Sequence, residues 1–170
     1  IMHELKSGRT DLTIMFKYDE LQMYVDYLVP LAPIQNVVMG LKNVKFNALS
    51  ELEGKTLGYL RGANLSNKIE ANNKIEKHLI IDFKRGVKML ALGRVDAIIG
   101  PYEALIFAAK MVYPKKDLFG VPMLVSERTP WLQMSKKSKH KKKAKAISLI
   151  FKRLLAAGRL DQLRKKYVLD

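Results

Sequence analysis

Cysteine is absent from the 170 residues, which excludes disulfide frameworks, thiolate nucleophiles and cysteine-built zinc sites and leaves the redox compartment open. Histidine is scarce. His3, His78 and His140 fall in separate stretches with no His-x-x-x-His or Glu-x-x-His pair, so a metal-dependent hydrolase has no footing. Neither a Gly-x-Ser-x-Gly nor a phosphate-loop motif occurs, and no motif calls for a cofactor, so the chain reads as a non-enzyme. No apolar run reaches the roughly 18 residues that would span a bilayer. Acidic residues are also few, 16 against 31 Lys plus Arg, and the net charge of +15 makes anionic partners plausible. The chain opens at Ile1 inside a helical pattern with neither an initiator methionine nor a signal peptide, as a processed or incomplete chain would.

What is present is ample core material, 48% hydrophobic, enough for one ordinary domain or two small lobes. The most informative pattern is internal. Leu5-Lys-Ser-Gly-Arg-Thr-Asp-Leu-Thr-Ile14 nearly repeats as Leu90-Ala-Leu-Gly-Arg-Val-Asp-Ala-Ile-Ile99. Both copies end a helix at a glycine, where a left-handed cap costs little, and pass through Arg-x-Asp into an apolar strand. Two similarly built α/β lobes are the expectation.

Between and beyond the copies, strands alternate with helices. An apolar strand spans 34–41, Ser50 caps a single turn, and a strand follows over Lys55 to Leu60. Arg61-Gly62-Ala63-Asn64 turns, with Asn64 as the N-cap of a helix over 65–72. A strand at 78–81 leads to a helix at 83–92 with Phe83, Val87, Leu90 and Met89 inward. After the second Gly-Arg-x-Asp strand, Pro101 stands at the first turn of a helix over 102–112. Strands at 119–125 and 131–135 precede a helix carrying Ile147, Ile150, Phe151, Leu154 and Leu155 on one stripe. It stops at Gly158, and a short helix with Leu160, Leu163 and Tyr167 follows. The fold class is α/β.

The motifs fall in a recognisable order: Gly8-Arg-Thr-Asp-Leu12, Val25-Asp-Tyr-Leu-Val-Pro30, Leu49-Ser-Glu-Leu-Glu-Gly-Lys-Thr-Leu-Gly58, Gly62 in the next turn, Gly93-Arg-Val-Asp-Ala97, and an ending with Ala157-Gly-Arg-Leu160, Leu163 and Tyr167. In this order they resemble periplasmic solute-binding protein family 3, the amino-acid type that serves ABC transporters, over nearly the whole chain. The resemblance implies a two-lobe, periplasmic-binding-protein-like (type II) fold that closes on a small-molecule solute between its lobes and then docks on a membrane permease. It implies a periplasmic or extracellular location. Lobe one would hold residues 1–39 and 134–170 and lobe two residues 40–133, with crossings near Met39-Gly40 and Gln133-Met134. The family opens with a strand-helix-strand-helix unit ahead of the equivalent of Leu5. With no counterpart here, lobe one is expected to be incomplete, and to expose an apolar edge or to borrow coverage from another chain.

Carried over residue by residue, the resemblance also speaks of the ligand. The arginine that clamps an α-carboxylate in family members is Leu21 here, and the aspartate that holds the ammonium is Pro101, so a standard α-amino acid is not the expected solute. The anion-holding turn remains as Gly62-Ala63-Asn64, without its hydroxyl, with Arg61 or Asn64 as the substitute. Read without the resemblance, Gly62 is a turn glycine and Asn64 a cap. Met15, Phe16 and Tyr18 take positions of small pocket residues, which implies a bulkier, more aromatic floor. Tyr102 and Glu103 complete the candidate ligand-binding set, Glu103 reading equally as a solvated first-turn carboxylate. Trp131 reads as core packing or as an aromatic that stacks on ligand.

One feature fits none of this. Lys136, Lys137, Lys139, Lys141, Lys142, Lys143 and Lys145 crowd ten residues. They read as a solvated helix entry or as a contact for an anionic surface. Without interleaved aromatics the stretch has no device for reading bases, which argues against nucleic acid. The alternative function is therefore a basic interaction or sensor module whose surface binds an anionic partner.

Overall fold

In the computed structural model, residues 1–61 and 65–166 are described. The chain forms two compact units, Ile1–Ile34 with Arg128–Asp170, and Gln35–Glu127. It passes between them at Ile34/Gln35 and Glu127/Arg128, earlier in each case than the crossings that the resemblance implied.

The central unit is a five-stranded sheet of order β5-β4-β6-β3-β7. Its strands are β3 (Ile34–Met39), β4 (Thr56–Leu60), β5 (Glu76–Ile80), β6 (Ala97–Pro101) and β7 (Met123–Arg128). β4 runs parallel to both β5 and β6, and β3 pairs antiparallel with β6. Successive residues of β3 and β6 feed opposite faces, as a period of two requires. Val37, Met39 and Ile98 enter one core with Val87 and Leu90 of α3 (Phe83–Ala91) and Leu105, Ala108 and Ala109 of α4 (Tyr102–Val112). Val38, Ala97 and Ile99 enter the other, with Leu52, Leu65, Ile69 and Ile75. Burial on both faces is why β6 reads as an unbroken apolar run.

The outer unit carries a three-stranded antiparallel sheet of order β1-β8-β2, from β1 (Leu12–Phe16), β2 (Val25–Pro30) and β8 (Pro130–Ser135). α1 (Met2–Ser7) precedes it; α5 (Ala144–Ala156) and α6 (Arg159–Arg164) follow. Its core cluster is small: Leu5, Leu21 and Val25, flanked by Met2, Met15, Tyr18 and Tyr27. Neither α5 nor α6 buries a residue, and Ile150 is 56% exposed, with Leu149, Leu154 and Leu163 also open. α5 thus presents apolar side chains to solvent among the described residues. The described sheets of the two units differ, three antiparallel strands against five mixed ones, and what the repeat marks in both is a local device.

That device is a helix end. Gly8 and Gly93 take φ of 80° and 66°. After each, the amide of the next arginine returns to the helix, Arg9 to the Glu4 carbonyl at 3.0 Å and Arg94 to the Met89 carbonyl at 2.9 Å. These pairs, with Gly8 to Leu5 and Gly93 to Leu90, form the Schellman cap twice. The aspartate then grips a neighbour. The Asp96 carboxylate accepts the Thr56 amide at 2.8 Å, while Asp11 accepts the Ser138 hydroxyl at 2.6 Å.

Several local expectations shift. The helix expected over 65–72 is a single turn, α2 (Asn67–Glu70), and its cap is Ser66, whose hydroxyl accepts the Ile69 amide at 3.4 Å. Asn64, Gly62 and Ala63 lie outside the described residues, as does Tyr167. The turn assigned to Ser50 is Leu49–Leu52, anchored when Glu51 accepts the Asn47 amide at 3.0 Å. β7 begins at Met123 because Pro122 has no amide to give, and Phe119 makes only an isolated bridge to Leu41.

Two expectations test these contacts. Gly93 has open space around a Cβ, so Gly93→Ala isolates the backbone cost of its positive φ and should lower stability by about 1 kcal/mol in urea unfolding, with Asp96→Ala losing a comparable amount. Glu53 accepts from Asn72 Nδ2 and Lys74 Nζ, both at 3.1 Å, and these bonds, Asn72 first, hold its pKa below the ordinary carboxylate value. This lowered folded-state pKa gives stability that is present above the unfolded pKa and lost as pH falls through the folded one. Carboxyl NMR titration should give Glu53 a midpoint below that of free glutamate, and Asn72→Ala should raise it.

Candidate functional site

In an α/β sheet, ligands collect at the carboxyl ends of parallel strands whose connections leave to opposite sides. β4 and β6 form such a pair: the chain leaves β4 through α2 to β5 on one side, then returns through α3 to β6 on the other. The register Leu57 with Ala97 and Gly58 with Ile98 brings their carboxyl ends to one edge of the sheet. Arg61 follows β4 there and is exposed; Tyr102 and Glu103 follow β6 at the start of α4 and are half-buried. Tyr102 packs against the α3–α4 core. Arg61 lines a cavity of about 460 Å³ whose other walls among the described residues are Leu60, Leu79, Ile80 and Ile81. The sequence reading missed Leu79 and Ile81 as walls. Their only signal was an apolar strand end running past its last paired residue.

Phe16 and Tyr18 belong to the outer unit, at the end of β1. There the Arg128 guanidinium lies 4.4 Å from the Phe16 ring centroid and 5.3 Å from that of Tyr18, and its Nη2 donates to the Lys17 carbonyl at 3.4 Å. Lys17 Nζ sits 3.8 Å from the Trp131 centroid and 4.7 Å from the Tyr27 centroid. The Tyr27 and Trp131 rings meet edge to face, 6.0 Å apart at 68°. The register places Met15 opposite Trp131 and Phe16 opposite Pro130, and an irregularity between Tyr27 and Val29 sets β2 against β8. Gln133, fully buried, donates Nε2 to the Met15 and Phe16 carbonyls at 2.9 and 3.2 Å, which ties β8 to the end of β1. Its Oε1 has no partner among the described residues.

Leu21, where the resemblance expects the carboxylate clamp, is 0% exposed and packs with Leu5 and Val25. Pro101 ends β6 and precedes α4 without a side-chain cap. Neither position carries a charge.

All seven lysines of the basic stretch are exposed, while its serines turn inward. Ser135 Oγ donates to the Leu5 carbonyl at 2.7 Å and accepts the Lys137 amide, and Ser138 Oγ donates to Asp11 and accepts the His140 amide. The serines pin the stretch to the first Gly-Arg-x-Asp turn. Among the described residues, no cluster of three or more His, Asp or Glu side chains is placed to hold a metal, and no helix is long and apolar enough to cross a membrane.

No protein-family model and no curated protein matches the sequence. Solved structures do. The amino-acid ABC transporter substrate-binding protein AbpA of Streptococcus pneumoniae, bound to L-arginine, is similar over 99% of this chain and 72% of its own, with a TM-score of 0.73 at 20% identity. The probable amino-acid ABC transporter extracellular-binding protein ytmK of Bacillus subtilis gives 0.73 at 18% identity, covering 99% of this chain and 75% of its own. An ancestral amino acid-binding protein, AncCDT-1, a precursor of cyclohexadienyl dehydratase, gives 0.69 at 16% identity, covering 99% and 72%. The chain therefore has the periplasmic-binding-protein-like α/β fold seen in amino-acid ABC transporter substrate-binding proteins, and it spans about three-quarters of their length.

Proposed function

We propose that this chain is an extracytoplasmic solute-binding protein that captures a small ligand for an ABC transporter and is not itself an enzyme. The observation that carries the reading is the fold likeness over 99% of the chain to substrate-binding proteins. The Arg61-lined cavity at the carboxyl ends of β4 and β5 supports it. A guanidinium at such an edge suits an acid group on the solute, and the apolar walls suit a short carbon skeleton. The buried Leu21 and the uncharged Pro101 favour a solute other than a standard α-amino acid. A permease would be the downstream partner, and the site a periplasmic or extracellular one.

A second reading has its own observation in the seven exposed lysines. If the function lies on that surface, the chain docks on an anionic partner and solute capture is secondary.

A thermal-shift screen of amino acids, polyamines, carboxylates, phosphates and short peptides separates the two. A cognate solute at a hundred times its dissociation constant should raise Tm by about 5–10 °C. With an acidic hit in hand, Arg61→Ala should weaken binding about tenfold by calorimetry. Unchanged affinity removes Arg61 from the site, and silence across the panel from a folded sample favours the lysine surface.

A further inference from the structure

Where the lysines of this chain meet a charged partner, they meet an oxygen: Nζ of Lys6, Lys42 and Lys74 lies 3.1, 2.8 and 3.1 Å from the carboxylates of Glu20, Asp117 and Glu53. Lys17 differs. Its ammonium rests on the rings of Trp131 and Tyr27 at 3.8 and 4.7 Å, and among the described residues it makes no hydrogen bond or ion pair. The two rings, 68° apart in plane, converge on one point with an aromatic surface from each side. The ring quadrupole attracts a cation there, and no acceptor is supplied for an N–H.

Such a corner is poorly matched to the group that fills it. A primary ammonium is compact and strongly hydrated, and three donors facing two rings forfeit hydrogen bonds to water. A fully methylated, quaternary ammonium has little hydration to lose and no donor to satisfy, so aromatic faces alone are sufficient for it. Both rings are half-buried, and Trp131 is carried by the central strand β8, so the corner persists when its occupant leaves. Lys17 is exposed and free to swing into solvent.

We propose that the Tyr27–Trp131 corner is a binding site for a quaternary ammonium group and that Lys17 is its built-in occupant, displaced when the ligand arrives. The site goes beyond the Arg61 cavity and belongs to the other unit, so it stands or falls separately from the solute screen.

Trp131 is the single tryptophan, and its emission therefore reports the corner directly. The full chain is titrated with tetramethylammonium chloride against sodium chloride at equal ionic strength. The expected result is a saturable change in Trp131 emission with tetramethylammonium alone, with a midpoint about two- to fivefold lower in Lys17→Ala, which removes the competitor. Tyr27→Leu, which keeps the reporter and removes one ring, should weaken the response by a similar factor. A tetramethylammonium curve that coincides with sodium chloride overturns the proposal. So does a Lys17→Ala midpoint equal to or higher than that of the wild type.

Discussion

Asp96 accepts the Thr56 amide in its carboxylate at 2.8 Å and returns its own amide to the Thr56 carbonyl at 2.9 Å, and the pairing of β4 with β6 starts from this exchange. Once these residues are joined, Leu57 must face Ala97 and Gly58 must face Ile98. A slip of one residue would turn every apolar side chain of a doubly buried strand to the wrong face. The same exchange decides which loops share the carboxyl edge, and so brings Arg61 and Glu103 to one side of the sheet. The left-handed glycine three residues earlier in the motif, Gly93, ends α3 and turns the chain toward β6, which sets up the exchange. Gly8 and Asp11 repeat the arrangement in the outer unit, where the aspartate holds the serine that anchors the lysine-rich stretch.

The positive charge of the chain is handled in two ways. Along 136–145 the lysines are exposed, Lys136 also donating to the Gln22 carbonyl at 3.3 Å, and Ser135 and Ser138 supply hydrogen bonds that fix the backbone, so no lysine has to be buried to order the segment. At the end of β1 the cations are laid on rings instead, Arg128 over Phe16 and Tyr18 and Lys17 over Trp131 and Tyr27. The first arrangement leaves charge available to a polyanion at any ionic strength low enough to feel it. The second turns four aromatic side chains, otherwise ordinary packing groups, into surfaces with a defined preference for charge.

The units also differ in how they earn their order. The sheet of the central unit is covered on both faces by separate clusters, one under α3 and α4 and one under the turn at 49–52, α2 and the loop before β5. The core cluster of the outer unit holds three buried residues among those described, and α5 buries none of its own. Hydrophobic burial scales with area removed from water, so a larger share of the ordering in the outer unit falls to hydrogen bonds such as those of Ser135, Ser138 and Gln133.

The sequence by itself determined most of the element order and the three helices that stop at Gly8, Gly93 and Gly158, because these depend on contacts within a few residues: a left-handed cap, an apolar period of two or 3.6, a proline at a helix start. It also determined that Leu21 and Pro101 carry no charge. Boundaries were less legible wherever two residues could do the same local work, as when Ser66 rather than Asn64 caps α2 and Glu51 rather than Ser50 holds the turn before β4. The candidate site was legible at Arg61, Phe16 and Tyr18 only as positions, not as partners. Lys17, Tyr27, Arg128 and Trp131 meet across strands more than a hundred residues apart in the chain, and nothing local encodes that meeting. Only the tertiary structure decided it, because the register of β8 between β1 and β2 is set by the summed burial and hydrogen bonding of all three strands.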